Sequence, residues 1–354
     1  MKLKLLFLLF FTTLSSFAQE TSIPDINFEK KLIALGIDSG IRDGKVLTGR
    51  ISSLTSLDVS SASITDLTGI QDFKNLTSLI CNNNNLTTLD VSKNTNLKTL
   101  YCYSNIQLTT LDVSKNTALT TLYCYFNRLT TLDVSNNTAL KYLYCYNSTL
   151  TTLDVSKNTA LTIFNCSYNL LTTLDVSKNT ALINLDCSYN KLTTLDVSKN
   201  TTLINFDCGL NNLISLNIKN GNNNKLDVNN IEFRGNPNLS CIQVDNAAYS
   251  NENWYNAKAT TASYSVNCPS LGIAESVFDK AVIYPNPTKG ELHIDNAIVE
   301  KATIYNVLGK LVKTEIFTNS SNNNTIDLTG SPTGVYYIYL ESQGNTIVKK
   351  IVIE

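Results

Sequence analysis

Nine cysteines and a single histidine bound the chemistry open to this chain of 354 residues. With His293 alone, triads, histidine-rich metal sites and most imidazole acid–base schemes lack their parts, so enzyme readings start at a disadvantage. Seven of the cysteines, Cys81, Cys102, Cys124, Cys145, Cys166, Cys187 and Cys208, fall at spacings of 21, 22, 21, 21, 21 and 21 residues. A metal site needs thiolates that converge in a tetrahedral array, whereas one thiol per repeat makes a row. Neighbouring Cβ atoms of in-register parallel strands lie about 4.8 Å apart, beyond the roughly 3.5–4.5 Å of a disulfide. The row therefore reads as small buried hydrophobes kept reduced, in preference to a metal site or a chain of disulfides. A second ladder, Asp90, Asp112, Asp133, Asp154, Asp175 and Asp196, offers carboxylates that calcium would accept. Lysines recur three residues on, at 93, 115, 157, 178 and 199, and Asp beside Ser-x-Asn-Thr suits a hydrogen-bonded turn. These aspartates read as turn residues, and no metal or cofactor is expected.

The elements that carry these ladders follow from the period. One turn runs Leu119-Thr-Thr-Leu122-Tyr-Cys124-Tyr-Phe-Asn127-Arg-Leu129, then Thr-Thr-Leu132-Asp-Val134-Ser-Asn-Asn-Thr138-Ala before Leu140. Self-similarity at 21 residues means a solenoid, in which no repeat buries its apolar face alone. Leu122 and Cys124, two apart, face inward from a short strand, and Leu129, Leu132, Val134 and Leu140 fill the rest of the coil. Asn84, Asn105, Asn127, Asn169, Asn190 and Asn211 sit where the chain leaves the strand, with amides able to bond the backbone of neighbouring coils. Ser148 replaces this asparagine once, a local weak point. The one 22-residue interval is an extra residue near Ile106-Gln107 that a loop absorbs. Little length remains for helices, so turns, 3₁₀ pieces or short strands are expected on the convex side.

This stretch resembles the short bacterial leucine-rich repeats of the internalin type, in the variant with cysteine at one core leucine position. The resemblance covers roughly residues 50–240 and implies a recognition surface. In such repeats the strand positions flanking the inward Leu and Cys point to the concave face: Tyr101, Tyr103, Tyr123, Tyr125, Tyr142, Tyr144 and Tyr146 in three adjacent coils. The next coils carry Asn165, Ser167, Asp186, Ser188, Asp207 and Gly209, a polar and mildly acidic strip. Tyrosine supplies rigid area and a hydroxyl for protein or sugar contacts, though it is also a good strand residue copied by duplication.

The ends of the chain set its destination. Lys2 and Lys4, an apolar run from Leu5 to Phe11 and Ser16-Phe17-Ala18 read as a secretory signal over residues 1–18, too short to span a membrane. Residues 19–50 are expected to form an N-terminal cap, with a helix starting near Asp25 and carrying Phe28, Leu32 and Leu35 up to Gly36. Residues 51–240 are the solenoid. In an exported chain, Cys241 and Cys268, which break the period and bracket Tyr249, Trp254 and Tyr264, read as a disulfide in a C-terminal cap over 241–268, with two free thiols as the alternative. A linker over 269–280 leads to short alternating runs punctuated by turns, a small immunoglobulin-like β-sandwich over 281–354. Its Tyr284-Pro-Asn-Pro-Thr-Lys-Gly290, Ile304-Tyr-Asn-Val-Leu-Gly309-Lys, Pro332-Thr-Gly-Val-Tyr336 and closing Lys349-Lys-Ile-Val-Ile resemble the type A sorting domain of the type IX secretion system. That resemblance implies passage through the outer membrane, usually with removal of the tail and either release or surface attachment.

The expected fold is thus mainly β: a leucine-rich-repeat solenoid with a small helical N-terminal cap, then the β-sandwich. A formal net charge of -1 gives no electrostatic footprint for nucleic acid. Three functions remain open. The first is a cell-surface or secreted recognition module for a protein or glycan, its other partner being the secretion machinery. The second is an envelope spacer without ligand preference. The third is a hydrolase using Asp186 and Asp207, for which nothing offers a deep cleft. The recognition module, not an enzyme, is the expectation.

Overall fold

The computed structural model describes residues 19–268, 278, 281–317, 323–342 and 345–354. The expected signal and all of the expected linker except Phe278 lie outside the described residues. The chain divides into two compact units, one up to Pro269 and one from Ser270, each with its own core.

The first unit opens with β1 (Glu20–Ser22), α1 (Ile26–Ala34), β2 (Lys45–Leu47) and α2 (Thr48–Ile51), β1 pairing antiparallel with β2. Asp25 caps α1 by accepting from the N–H groups of Asn27 and Phe28, both at 2.9 Å. Its other oxygen accepts from the Thr65 N–H (2.8 Å) and hydroxyl (2.7 Å), which ties the cap to the first coil. Phe28 and Leu32 are fully buried, and Phe28 stacks on Phe73 at 6.2 Å. Leu35 departs from the expected apolar stripe. The helix ends at Ala34, so Leu35 becomes the C-cap and stays exposed, and Gly36 takes the left-handed turn at φ 70°.

The coils follow as three-residue strands: β3 (Ser56–Asp58), β4 (Ser78–Ile80), β5 (Thr99–Tyr101), β6 (Thr121–Tyr123), β7 (Tyr142–Tyr144), β8 (Ile163–Asn165), β9 (Asn184–Asp186), β10 (Thr194–Asp196), β11 (Asn205–Asp207) and β12 (Ser215–Asn217). After them come the two-residue β13 (Ile231–Glu232), then β14 (Cys241–Gln243), α3 (Ala247–Asn253) and β15 (Ser263–Ser265). Nine of these make one parallel sheet, ordered β13-β11-β9-β8-β7-β6-β5-β4-β3, while β10, β12, β14 and β15 form a second. Pairing is in register, Leu100 with Leu122 and Leu122 with Leu143, so identical side chains stack into columns. Leu122, Cys124, Leu129, Val134 and Leu140 have no exposed surface. All seven ladder cysteines are buried free thiols, and burial pushes them up, Cys102 and Cys145 to about 12.

Two asparagine columns bind the coils together. In the first, Asn84 donates to the Val59 and Cys81 carbonyls at 2.9 and 3.0 Å and accepts from the Ala62 and Ile64 N–H groups. Asn105, Asn127, Asn169, Asn190 and Asn211 likewise donate to carbonyls of their own and the preceding coil. At the exceptional position the buried Ser148 hydroxyl has no hydrogen-bond partner among the described residues. The second column, Asn94, Asn116, Asn137, Asn158, Asn179 and Asn200, is fully buried. Each reaches back one coil; Asn158 donates to Val134 and Asn137 carbonyls, both at 2.9 Å. Because strand carbonyls already serve the next coil, a buried amide is needed to satisfy the turn carbonyls left over.

The residue before each first-column position is left-handed, from Asn83 to Leu210, with φ between 51° and 55°. The twist lets its N–H bond the next coil, as Phe126 does to Tyr146 and Tyr168 to Ser188. For non-glycine residues this conformation costs about 1–2 kcal/mol each.

At the far end Trp254 is buried among Phe233, Tyr249 and Tyr264, with ring centroids 5.8 to 6.4 Å away. Cys241 and Cys268 close this cap with a disulfide, Cα–Cα 5.7 Å. Alkylation of denatured, unreduced protein followed by mass spectrometry should therefore find the seven ladder thiols labelled and this pair blocked. Reducing it should lower stability by about 3–4 kcal/mol, the chain-entropy value for such a loop. Labelled Cys241 would contradict the bridge.

The second unit holds β16 (Val282–Tyr284), β17 (Glu291–Asp295), β18 (Lys301–Asn306), β19 (Leu311–Ile316), β20 (Asn323–Asp327), β21 (Gly334–Ser342) and β22 (Asn345–Ile353). Antiparallel sheets β16-β17-β20 and β19-β18-β21-β22 close as a sandwich over Leu292, Ile304, Ile326, Ile338 and Ile351. Asn286 fastens the Tyr284–Gly290 segment to the last strand, donating to the Lys350 carbonyl and accepting from the Val352 N–H, both at 2.9 Å.

Candidate ligand-binding face of the repeat sheet

Period-two alternation decides what the nine-stranded sheet shows to solvent. With Leu100, Leu122 and Leu143 buried, their neighbours point out, and in-register pairing aligns the rings of successive coils. Tyr101 stacks on Tyr123 at 4.4 Å, and Tyr123 meets Tyr144 edge-on at 4.5 Å. A second column runs Tyr103, Tyr125, Tyr146, each pair stacked at 4.4 Å. Tyr142 shares the face, paired in register with Thr121 and Ile163, and is more exposed than the other six. Partial burial and neighbouring phenols push Tyr123 up to about 12 and raise Tyr125, Tyr144 and Tyr146, so all stay protonated as donors at neutral pH.

Beyond the rings the face becomes a polar groove of about 450 Å³, lined in part by Tyr144, Asn165, Asn184, Asp186, Asn205, Asp207 and Glu232. Asp186 and Asp207 are register partners on β9 and β11. Asp186 accepts from Ser188 with one oxygen and from the Asn165 amide, at 3.0 Å, with the other. Asp207 accepts from the Gly209 N–H at 2.9 Å through Oδ1, and its Oδ2 takes no hydrogen bond from a described residue. Burial, with the charges of Asp186 and Glu232 beside it, pushes Asp207 up to about 6 against the pull of the Gly209 N–H. Gly209 stands where other coils have Asn, Tyr or Ser, and a Cβ there would lie 3.0 Å from the Glu232 side chain and 3.1 Å from the Arg234 carbonyl, so a larger residue would make its neighbours shift by a few tenths of an ångström.

Three features of this face escaped the sequence reading. Glu232 enters the groove from β13 and pairs with Arg234. Tyr168 and Tyr189, left-handed and exposed, stack at 3.9 Å along its edge. Phe126 packs edge-on against Tyr125 and Tyr146. Only the recurrence of one position per coil could have flagged the left-handed column, and its residue types vary from Ser to Leu. On the opposite side, Asp90, Asp112, Asp133, Asp154, Asp175 and Asp196 each accept from the N–H of the serine two residues on. Among the described residues no group of three or more His, Cys, Asp or Glu is arranged to hold a metal.

Leucine-lined coils and buried asparagine columns define a leucine-rich-repeat-like solenoid, followed by a separate C-terminal β-sandwich. Residues 282–354 match the family described as the secretion system C-terminal sorting domain, which directs the chain through type IX secretion to the cell surface or the extracellular space. No curated protein matches the chain. Among solved structures it is similar to the functional domain of InlJ from Listeria monocytogenes, which includes a cysteine ladder, at 25% identity over 95% of this chain and 98% of that one, TM-score 0.37. It is also similar to internalin C2 of the same organism, at 20% identity over 56% of this chain and 92% of that one, TM-score 0.49. No helix of the described residues is long and apolar enough to cross a membrane.

Proposed function

We propose that the chain is a recognition protein, not an enzyme, that binds a protein or glycan through the outward, concave face of its nine-stranded sheet. The observation that carries the reading is the pair of tyrosine columns, six aligned rings on one sheet face. Clustered aromatic anchors dominate binding energy when they sit centrally, and truncating one often costs about 2 kcal/mol or more. Asp186 and Asp207 lie on an open sheet, which fits contact better than turnover. The proposed limits of the working unit are residues 51–240 with their caps, and residues 281–354 serve as an address.

The test is an array of glycans and surface proteins probed with the parent and with the double variant Tyr123→Ala, Tyr125→Ala. A ligand found with the parent should bind the variant at least about tenfold more weakly, a loss of about 1.4 kcal/mol or more. The fold should survive, since these rings contact one another rather than the core. Unchanged affinity would move the site off the tyrosine columns, and no preference anywhere on the array would favour an envelope spacer.

A further inference from the structure

The two halves of the sheet face differ in what they can recognise. In the tyrosine half, ring planes lie nearly parallel to one another, 7° to 9° apart in the stacked pairs. Each stacked pair covers two ring faces, and Tyr125, stacked on both Tyr103 and Tyr146, has neither face open. A pyranose ring is held by lying on an open aromatic face, and a cation is likewise attracted to the face, not the positive edge. This half suits hydrogen-bonding and small apolar groups, such as a polypeptide presents. The other half is anionic. The outward positions of β4 to β9 and of β11 carry Asp186 and Asp207 and no Lys or Arg. The adjacent Arg234 is already engaged by Glu232, and one Asp207 carboxylate oxygen in the groove takes no hydrogen bond from a described residue.

We infer that the partner of this face is a polypeptide segment with basic side chains, seated with Lys or Arg on Asp186 and Asp207 and with its neighbouring residues along the tyrosine hydroxyls. From β5 to β11 the face spans about 24 Å at strand spacing, which roughly seven extended residues cover. A small amine would engage only the acidic end, and a neutral glycan would leave its carboxylates desolvated without a counter-charge. This inference rests on the recognition reading above and narrows it.

The full-length chain should be tested against immobilised peptides graded in net charge and against neutral oligosaccharides. Retention by basic peptides is expected, weakening as salt rises. Asp186→Asn with Asp207→Asn should reduce it at least about tenfold, because a charge-assisted contact is lost while Asn can still accept from the Ser188 and Gly209 N–H groups. Tyr123→Ala with Tyr125→Ala should weaken retention of the same peptides without changing the charge preference. Binding indifferent to peptide charge, binding of oligosaccharides alone, no peptide retained, or full binding by the Asp variant would each overturn the basic-polypeptide inference. If a ligand binds the parent, the Asp variant and the Tyr variant equally, the face itself is not the site and the recognition reading fails with it.

Discussion

Asn158→Asp should destabilise the repeat unit by about 3–5 kcal/mol at neutral pH, the cost of leaving a buried charge uncompensated. Asn158 is fully buried and gives both amide protons to carbonyls of the preceding coil, Val134 and Asn137, at 2.9 Å. The carboxylate has the same shape but no donor, so it sets negative charge against two carbonyl oxygens. Burial raises the folded-state pKa of this new carboxyl above its unfolded value of about 3.9. The penalty is then fully present above the folded pKa, shrinks as pH falls through it, and vanishes below the unfolded value, where both states are protonated. Denaturant melts of parent and variant should draw together as pH is lowered, stopping short of coincidence because a protonated carboxyl donates one hydrogen bond where the amide donates two. Asn158→Ala, which removes two hydrogen bonds without adding a charge, should cost about 2 kcal/mol with no such convergence. If the Asp variant matches the parent at neutral pH, the amide column does not hold the coils.

The other large effect concerns delivery. Deleting residues 281–354 should abolish arrival at the cell surface while leaving the repeat unit folded. The truncated part has its own core, from Ile23 at one end to Trp254 and Tyr264 at the other, and solenoid coils draw stability from their neighbours. The deleted part contains the whole region that matches the sorting family. Surface labelling of intact cells of the native host should fall to background, and the retained protein should resist protease and keep Cys241 blocked. Surface signal at the parental level would show that some other segment carries the address.

What the sequence made legible was whatever repeats with one residue type. Cysteine at 21-residue spacing placed β4 to β9 and β11 without further help, and the Leu-x-Cys alternation gave the outward tyrosines their face. The first asparagine column was legible for the same reason. The second is legible only as part of a turn, since asparagine is ordinarily a surface residue and its burial depends on carbonyls of another coil. Ring stacking was invisible because it depends on register across coils, not on any one strand. Leu35 keeps the helical spacing of Phe28 and Leu32, but α1 ends at Ala34, one residue short of it, and the left-handed turn at Gly36 follows.

The cysteine column has a use as an instrument. Every coil from Cys81 to Cys208 holds one reduced thiol with no exposed surface, so an alkylating reagent reaches a given sulfur only when that coil opens. Labelling rates in the native protein, resolved by position, would report seven local opening free energies along one stack. In a quasi-one-dimensional array these values chart how cooperativity spreads from the middle towards the caps. The molecule thus carries its own strain gauge at intervals of one coil, read without introducing a single probe.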